Sequence, residues 1–277
     1  MKNKNNNIQE VHKNGLTSKN IKKEEEYVPH KHEKLVYTEN QVGGHPGTII
    51  DLHDKILKKA KESEFEMYQF LYSEKCPEDL QELKTYLPKY LGTEEINGED
   101  FIILENLHLG FEFPNIVDCK IGRITWTENA NPKKIEVQRE KNLKSINAYF
   151  GFRITGLIIR DKAGKLLEQI KKPIVETFIT KENLFEYLTK LVSYDGIFQI
   201  NLVHDIIDQT QNILQFFKRQ TKSKFVASSI YYVIGKNNKV QARFIDIAHP
   251  EDSKGNLDEN VIDGIEGLIN VWKSLLN

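Results

Sequence analysis

The chain has 277 residues, of which 39% are hydrophobic and 29% are charged, so it can bury one large core or two smaller ones. Its 39 lysines and arginines balance 40 aspartates and glutamates, which excludes a general positive field for nonspecific nucleic-acid binding. Two cysteines without metal-ligand spacing, no apolar run of membrane-spanning length and no apolar signal core predict a protein of the cytoplasm, the nucleus or both.

The first 33 residues are rich in Asn, Lys and Glu and carry few large apolar side chains. Such a segment cannot bury enough surface to offset the entropy of ordering, so we expect residues 1–33 to be a disordered polar tail. A strand is predicted at 35–37. It precedes a glycine-rich stretch at 41–48, where the backbone can approach a ligand or, as the more ordinary alternative, form a plain turn.

A lysine at the end of the next predicted strand is the first candidate for binding a nucleotide. Lys58 precedes a helix predicted over 62–72, and that helix carries Glu64. Kinase folds hold a lysine in this arrangement against the α- and β-phosphates of ATP. The alternative is that Lys58 is one member of a solvated basic run that includes Lys55, Lys59 and Lys61.

The following segment predicts a helix, a hairpin turn and a buried strand. After a helix at 78–85, Asn97 and Gly98 form a type I′ turn signal, and a buried strand follows at 101–104. This strand leads into a short connection at residues 105–107.

The strand predicted at 116–121 carries the residues that best fit phosphoryl transfer. Asp118 and Lys120 lie two residues apart, so they point to the same face of the strand. A carboxylate there can orient an attacking hydroxyl, and an ammonium group can neutralise the group being transferred. The alternative is a surface ion pair worth less than about 1 kcal/mol.

A helix predicted over 133–145 follows, with five basic residues against two acidic ones. Lys134, Gln138 and Lys141 have i, i+4, i+7 spacing and therefore share one face, while Lys133 and Arg139 lie beside that face. A charged stripe of this kind is usually a solvated helix face.

In the last third of the chain, an acidic residue lies near the end of an otherwise apolar strand. The hairpin predicted at 224–233 and 240–247 places Asp246 near Ser228 and Ser229. A carboxylate at such a position is costly to bury unless it is paired or binds a cation, so Asp246 is a candidate Mg²⁺ ligand or, alternatively, a turn-capping residue.

Arg153, in a strand predicted at 151–157, is expected to be structural and to pair with a buried acid. Helices are predicted at 181–192 and 201–219, and an amphipathic helix closes the chain.

Several stretches together resemble the inositol polyphosphate kinase family. The stretch at 114–122 has the pattern Pro-x-x-x-Asp-x-Lys-x-Gly, and 151–157 has Gly-Phe-Arg-x-x-Gly-Leu. Further similar stretches, all in family order, are found at 41–48, 87–92, 227–231, 245–249 and 258–266. The chain departs from the family pattern at Lys59, where proline is usual, and at Ile247, where phenylalanine is usual.

The resemblance implies an α+β, two-lobed, protein-kinase-like fold with antiparallel sheets and flanking helices. An N-lobe at 34–106 would bind the nucleotide, and a C-lobe at 107–277 would carry catalysis and the inositol phosphate. ATP and Mg²⁺ are the implied cofactors. The implied catalytic residues are Asp118 and Lys120. The implied nucleotide-binding residues are Thr48, Lys58, Glu105, Asn106, Leu107, Asp118 and Asp246, the implied substrate-binding residues are Lys120, Lys133, Lys134, Gln138 and Lys141, and the implied metal site is Asp246 with Ser228 and Ser229.

The substrate expected from these patterns is a soluble inositol polyphosphate. Inositol hexakisphosphate is expected first, to form a diphosphoinositol phosphate, with inositol trisphosphate as a further substrate. The alternatives are a multikinase or a trisphosphate 3-kinase acting on a ring hydroxyl, or a sensor that binds inositol phosphates without catalysis. We expect a monomer with neither nucleic acid nor membrane as a partner.

Overall fold

A four-stranded and a five-stranded antiparallel sheet organise the part of the chain that the structure describes. The structure is a computed structural model in which this part comprises residues 42, 47–171 and 179–277. The strands are β1 (Ile49–Asp51), β2 (Lys55–Lys59), β3 (Tyr90–Ile96), β4 (Glu99–Glu105), β5 (Asn115–Ile121), β6 (Phe152–Arg160), β7 (Leu166–Lys171), β8 (Ser193–Tyr194), β9 (Ile197–Phe198), β10 (Ser223–Phe225), β11 (Ser229–Ile234), β12 (Val240–Ile245) and β13 (Pro250–Asp252). The predicted α+β class is confirmed.

The four-stranded sheet has the order β1-β2-β4-β3, so β2 is an inner strand. Its register pairs Lys58 with Ile102 of β4, which holds the lysine in the middle of the sheet. The strands β3 and β4 are joined by Asn97 and Gly98, whose φ angles are 54° and 77°. Both central residues of a type I′ turn need positive φ, so the predicted hairpin is confirmed.

The five-stranded sheet has the order β12-β11-β5-β6-β7. Its central strand β5 is buried along almost its whole length, because β11 and β6 flank it. The register places Asp118 of β5 opposite Tyr231 of β11 and opposite Gly156 of β6. A central strand has little freedom to move, so Asp118 and Lys120 are presented on a rigid support.

Eight α-helices and a short 3₁₀ turn accompany these sheets in the described part of the chain. They are α1 (Glu62–Leu71), α2 (Glu78–Gln81), α3 (Leu83–Tyr86), α4 (Pro132–Leu143), α5 (Asn147–Phe150), α6 (Leu184–Leu191), α7 (Ile200–Phe217), α8 (Glu259–Lys273) and the 3₁₀ turn Ser274–Leu276. The long helices α7 and α8 pack on each other and bury one apolar face each. Asp258 caps α8, because its Oδ1 accepts a hydrogen bond of 3.2 Å from the N–H of Val261.

The main core joins side chains of both large sheets and of the helices, including the fully buried Tyr232 and Trp272. The phenol of Tyr232 lies 2.7 Å from the hydroxyl of Thr210, which satisfies both groups inside the core. Helix α8 approaches α5 so closely that a β-carbon built on Gly267 would lie 1.8 Å from the carbonyl oxygen of Phe150. Only glycine fits there without movement of the backbone.

Two elements differ from the sequence prediction. The helix expected at 78–85 is divided into α2 and α3, with Glu82 between them. The strand expected at 224–233 is interrupted, because Ala227 adopts a φ of 61° that cannot continue a ladder. The segment before the interruption, β10, pairs with β13, whereas β11 pairs with β5 and β12. The return strand ends at Ile245, since Asp246 has a φ of 63°.

The tail expected at 1–33, the strand expected at 35–37 and most of the glycine-rich stretch at 41–48 lie outside the described residues. The division into lobes at 34–106 and 107–277 stays a prediction. Among the helices of the described ranges, none combines the length and the apolar character needed to cross a bilayer.

Candidate active site

Two hollows lie side by side, and we call them the apolar cavity and the polar cleft. The apolar cavity has a volume of about 860 Å³. Its lining consists of Val42, Thr48, Ile49, Asp51, Ile56, Lys58, Tyr68, Pro88, Leu104, Glu105, Asn106, Leu107, His108, Asp118, Tyr231, Ile245 and Asp246. A mostly apolar pocket with a few polar groups at its end suits a flat organic ring with a charged extension.

The connection that follows β4 forms one wall of the apolar cavity and includes Glu105, Asn106 and Leu107. The N–H of Glu105 donates to the carbonyl of Lys89 over 2.9 Å. The side-chain amide of Asn106 donates to Asp51 Oδ1 at 3.1 Å and to the carbonyl of His53 at 2.8 Å. The first bond joins the connection to the residue before β3, and the other two fasten it to the end of β1 and the β1–β2 turn, so its backbone is held against the cavity.

A tyrosine and a histidine close the inner side of the apolar cavity, and sequence reasoning missed this pair. The Nε2 of His108 lies 2.9 Å from the hydroxyl of Tyr231, and the two rings are stacked with centroids 6.0 Å apart. Burial lowers the pKa of His108 and raises the pKa of Tyr231. Both groups are therefore neutral near pH 7. Their rings add to the apolar lining of the cavity, and the ring nitrogen and the hydroxyl add polar atoms to it.

The polar cleft has a volume of about 1510 Å³ and is rich in cationic side chains. Its lining consists of Thr48, Lys58, Lys59, Lys61, Glu64, Asp118, Lys120, Thr125, Trp126, Thr127, Lys134, Gln138, Lys141, Arg153, Thr155, Val226, Ala227, Asp246, Ala248 and His249. Thr48, Lys58, Asp118 and Asp246 line both hollows. These four predicted residues therefore form a shared wall, where a ligand in one hollow meets a ligand in the other.

Lys58 lies between two carboxylates in this shared wall. Its Nζ is 2.7 Å from Glu64 Oε1 and 2.7 Å from Asp246 Oδ1. Burial alone would lower the pKa of Lys58, but the charges of Asp246 and Glu64 outweigh burial and raise it. The Glu64 side chain is only 4% exposed. Among the ion pairs of the described residues, the one with Lys58 is the only pair that compensates its charge.

Asp118 and Lys120 extend from the same face of β5 into the polar cleft, as strand alternation predicts. Asp118 is 2% exposed, and its buried Oδ1 has no hydrogen-bond partner among the described residues. Burial and the charge of Asp246 raise the pKa of Asp118, against the opposing effect of Lys120. Burial lowers the pKa of Lys120, whose Nζ donates to the carbonyl of Ala227 over 2.6 Å.

Asp246 has a backbone conformation that L-residues rarely adopt, with a φ of 63°. The hydroxyl of Ser228 donates to its carbonyl oxygen over 2.8 Å and so holds this conformation. Burial favours protonation of Asp246, but the cations Lys58 and Lys120 outweigh burial and lower its pKa. The neighbouring Ser229 has a buried Oγ without a described partner. Neither serine lines the two hollows.

The donors around Asp118 and Asp246 fit a divalent cation that is completed by a ligand. In the described part of the chain, no cluster of three or more His, Cys, Asp and Glu side chains forms a ready-made metal site. Mg²⁺ is usually held by one or two carboxylates together with substrate phosphates and water. The carboxylate of Asp246 meets that requirement, because it lines both hollows.

Helix α4 forms the outer wall of the polar cleft. It begins at Pro132, and Asn131 Oδ1 accepts a hydrogen bond of 2.9 Å from the N–H of Lys133. The predicted stripe of Lys134, Gln138 and Lys141 lines the cleft. Lys133 does not line the cleft, and the guanidinium of Arg139 lies over the ring of Trp126, with its carbon 5.9 Å from the ring centroid.

Arg153 and His249 are two further cleft residues that the sequence analysis did not place in the site. Arg153 donates to the amide oxygens of Asn142 and Gln138, so its hydrogen-bond partners are amides and not the acid that we expected. Burial lowers the pKa of Arg153 to about 10. His249 Nε2 lies 3.1 Å from the Nζ of Lys61, and burial followed by the charge of Lys61 lowers the pKa of His249.

The arrangement suits the transfer of a phosphoryl group between two ligands. Carboxylates and lysines are concentrated at the wall shared by the hollows, and lysines line the far side of the cleft. Oppositely charged groups aimed at one volume stabilise charge that moves between donor and acceptor.

Comparison with known proteins finds a matching family model and several similar proteins. The protein-family model described as inositol polyphosphate kinase matches residues 101–273. Inositol polyphosphate multikinase alpha of Arabidopsis thaliana is 26% identical over 88% of this chain and 96% of its own length. The inositol polyphosphate multikinase of Schizosaccharomyces pombe is 24% identical over 85% of this chain and 96% of its own length.

A solved structure has a similar fold. It is the crystal structure of an inositol phosphate multikinase from S. cerevisiae in complex with ADP and Mn²⁺. That protein is 20% identical to this chain, with a TM-score of 0.67, and the match covers 81% of this chain and all of the other.

Proposed function

Because this chain belongs to the inositol polyphosphate kinase family, we propose that it transfers the γ-phosphate of ATP to a hydroxyl group of a soluble inositol polyphosphate. The observation that carries the proposal is the shared wall of Thr48, Lys58, Asp118 and Asp246 between an apolar cavity and a cationic cleft. The cavity takes the nucleotide, and the cleft takes the inositol phosphate. The reaction then takes place at the wall.

The apolar cavity binds the nucleotide. The adenine lies against the backbone of residues 105–107, where a rigid connection offers hydrogen-bonding groups to a purine edge. The phosphates extend toward Lys58, whose raised pKa keeps it cationic at neutral pH. The solved multikinase of S. cerevisiae, which holds ADP and Mn²⁺, supports a nucleotide and a divalent cation as the cofactors here.

Asp246 is the residue that would hold Mg²⁺, since its carboxylate lines both hollows, beside the position proposed for the nucleotide phosphates. The ion, when bound, neutralises phosphate charge and orients the γ-phosphoryl group. Asp246 lies at that position with an unusual φ of 63°. Ser229, which the sequence analysis included in the metal site, lines neither hollow, and we assign Ser228 to supporting the backbone of Asp246.

The polar cleft presents the acceptor hydroxyl to Asp118. The Oδ1 of Asp118 is buried and unpartnered among the described residues, so it is available to accept the hydroxyl proton. Lys120 lies on the same face of the strand and stabilises the charge of the transferred group. Lys134, Gln138 and Lys141 bind the ring phosphates from the opposite side of the cleft.

The identity of the inositol phosphate is the finer part of the proposal. The similar curated proteins are named multikinases, and a buried acid with a raised pKa suits a ring hydroxyl as nucleophile, so we put a multikinase-type reaction first. Inositol hexakisphosphate, the substrate expected from the sequence patterns, is the second candidate; because it has no free hydroxyl, an oxygen of one of its phosphate groups would attack the γ-phosphorus instead, forming a diphosphate as ADP leaves. The seven lysine and arginine side chains that line the cleft favour a densely phosphorylated ligand of that kind.

The test is incubation of the full chain with ATP, Mg²⁺ and inositol tris-, tetrakis-, pentakis- and hexakisphosphates, followed by separation of the products by charge. A multikinase converts the lower phosphates and leaves the hexakisphosphate unchanged. A hexakisphosphate kinase forms a product of higher charge than the hexakisphosphate. If no inositol phosphate changes while calorimetry still detects its binding, the chain is a sensor and the proposed reaction is wrong.

A further inference from the structure

Two side chains of the edge strand β12 contact the connection at residues 105–107 from outside the apolar cavity. Gln241 and Arg243 lie two residues apart on β12, so they extend from the same face of the strand. Both line a third hollow, which we call the outer hollow and which shares Glu105 and Asn106 with the apolar cavity. Neither of them lines the apolar cavity itself. The connection therefore lies between that cavity and these two side chains.

Gln241 fixes the carbonyl group of Leu107. Its amide lies between the guanidinium of Arg243 and that carbonyl oxygen. An arginine can only donate and a carbonyl can only accept, so the amide oxygen faces the arginine and the NH₂ group faces the carbonyl. In this orientation Arg243 Nη2 donates to Oε1 over 3.0 Å, and Nε2 donates to the Leu107 oxygen over 3.0 Å. Arg243 is paired in turn with Glu105, whose Oε1 lies 3.8 Å from its Nε.

The other end of the same peptide unit is fixed as well. The N–H of His108 donates to Asn106 Oδ1 over 3.0 Å. The Asn106 amide cannot turn over, because its Nδ2 donates to Asp51 Oδ1 and to the carbonyl of His53. A peptide unit is planar, so bonds to its carbonyl and to its N–H together prevent it from rotating.

The part of β12 that carries Gln241 is itself fastened on both sides. Gln209 of α7 donates to the carbonyl of Val240 over 3.0 Å and accepts from the N–H of Ala242 over 2.9 Å. These bonds use backbone groups of the residues that flank Gln241, while β12 pairs with β11 along its whole length. The amide therefore has a defined position relative to the connection.

We infer that Gln241 is a positioning residue for the nucleotide and that Arg243 sets the direction of its amide. With the Leu107 carbonyl held outside the apolar cavity, the N–H of Leu107 is the backbone group that this residue offers to the base. No hydrogen bond in the described part of the chain uses this N–H. A donor suits N1 of adenine, which is an acceptor, whereas N1 of guanine carries a hydrogen. The clamp thus favours adenine over guanine nucleotides, and this inference rests on the proposed function.

Nucleotide binding by Gln241→Met tests the inference. The variant keeps the length of the side chain but removes the donor, so the Leu107 carbonyl can turn into the cavity, where it repels N1 of adenine and accepts from N1 of guanine. Loss of this hydrogen bond predicts that the calorimetric Kd for ADP with Mg²⁺ and the KM for ATP each rise about tenfold. The Kd for GDP should not rise, so the preference for ADP over GDP falls about tenfold. The KM for the inositol phosphate and kcat should stay within about twofold of the wild type.

Two further variants and a control separate this effect from folding. Gln241→Glu still accepts from Arg243 but sets a carboxylate against the Leu107 carbonyl, so it should lose the preference for ADP at least as strongly while its melting temperature changes little. Arg243→Met frees the amide to turn over and should show a smaller loss of the same kind, about threefold. Lys239→Met is the matched control, because it also removes a cation from the outer hollow. The Lys239 ammonium lies 4.4 Å from the ring centroid of Phe111, and its loss should leave both Kd values unchanged.

The outcomes distinguish this inference from the proposed function. If the wild type binds ADP but Gln241→Met and Gln241→Glu leave its Kd unchanged, or weaken ADP and GDP equally, Gln241 does not orient the connection. The same conclusion follows if Lys239→Met reproduces the effect, or if the KM for the inositol phosphate rises as much as the KM for ATP. A wild type that binds ADP but phosphorylates no inositol phosphate overturns the proposed function alone, since the Kd values for ADP and GDP still decide the inference. A wild type that does not bind ADP overturns both.

Discussion

The ammonium group of Lys58 lies 2.7 Å from a carboxylate oxygen of Asp246, although 188 residues separate the two along the chain. Lys58 belongs to the four-stranded sheet, and Asp246 directly follows β12 of the five-stranded sheet. Glu64 on α1 binds the same ammonium group at 2.7 Å. One lysine therefore links both sheets and a helix at the wall where we propose that phosphoryl transfer occurs.

Replacing Lys58 is expected to affect both stability and activity. Lys58→Met leaves the buried Glu64 carboxylate without its cation, and the expected loss in the free energy of unfolding is about 3 kcal/mol. The loss of a cation at the nucleotide phosphates should also lower kcat/KM about 100-fold or more. Urea unfolding and initial-rate measurements on the full chain check the two effects.

The double variant Lys58→Met/Glu64→Gln is the matched control for that experiment. It removes the cation together with the charge of the buried Glu64; Asp246 also loses Lys58, but its side chain is 32% exposed and Lys120 is near, so most of the stability should return. The activity should stay low, because the nucleotide still lacks its lysine. A double variant that is as unstable as Lys58→Met would contradict the buried-charge explanation.

Asp118→Asn should give a folded but nearly inactive protein. The substitution keeps the shape of the side chain on a central strand and removes the group that accepts the hydroxyl proton. General-base catalysis predicts a fall in kcat of about 1000-fold. The KM for ATP should change little if Asp118 acts mainly on the acceptor. Residual activity within tenfold of the wild type would exclude Asp118 as the base.

The raised pKa of Asp118 predicts a characteristic pH dependence of activity. Burial and the charge of Asp246 raise this pKa above its ordinary value of 3.8. Only the ionised carboxylate can accept a proton, so kcat/KM should fall with decreasing pH at a higher pH than for an exposed aspartate. A profile of kcat/KM against pH, measured at fixed ionic strength, checks the position of this acidic limb.

The same shift in pKa has a consequence for stability. The folded state binds the Asp118 proton more tightly than the unfolded chain, so the contribution of this group is present below pH 3.8. It is lost as the pH rises through the folded pKa, and Asp118→Asn should remove that slope. Asp246 has the opposite sign, because its lowered pKa stabilises the fold above pH 3.8 and loses this effect as the pH falls through the folded pKa. Urea unfolding of both asparagine variants across this range separates the two.

Lys134→Ala and Lys141→Ala should weaken binding of the inositol phosphate and leave nucleotide binding unchanged. Both lysines line the polar cleft and neither lines the apolar cavity. Because they remain partly solvated, we expect each to raise KM for the inositol phosphate only about fivefold. The effect should shrink at high salt. Lys144→Ala on the same helix, which lines neither hollow, should leave KM unchanged.

Gly267→Ala tests the close contact between α8 and α5. Alanine is normally favoured over glycine inside a helix by about 1 kcal/mol. Here the new β-carbon would lie 1.8 Å from the carbonyl oxygen of Phe150, so overpacking should outweigh that gain and destabilise the fold by about 2 kcal/mol. Asn270→Ala, at an exposed position of the same helix, should be neutral or slightly stabilising in the same denaturation assay.

Much of the site could be predicted because its residues depend on local periodicity. Strand alternation places Asp118 and Lys120 on one face, and helical spacing places Lys134, Gln138 and Lys141 on one face. These relations depend only on the local geometry of a strand or a helix and not on contacts with other parts of the chain. The hairpin at Asn97 and Gly98 was predictable for the same reason, since its turn chemistry is contained in two residues.

The features that could not be predicted depend on contacts between distant elements. His108 and Tyr231 are 123 residues apart, and neither carries a sign of the other in its local sequence. The partners of Arg153 are amides whose position follows from the packing of α4 on β6. The interruption at Ala227 arises because β10 pairs with β13 while β11 joins the large sheet, and the apolar pattern of 224–233 does not distinguish the two partners.

The left-handed backbone of Asp246 creates a conflict between stability and activity in directed evolution. Glycine adopts a φ of 63° at little cost, whereas aspartate is strained there and persists through the Ser228 hydroxyl and the Lys58 ion pair. A screen that rewards heat resistance alone would therefore accept glycine at this position and enrich inert proteins. Mutant libraries designed to raise the thermal stability of this enzyme should keep Asp246 unchanged and should be screened for catalytic activity as well as for stability.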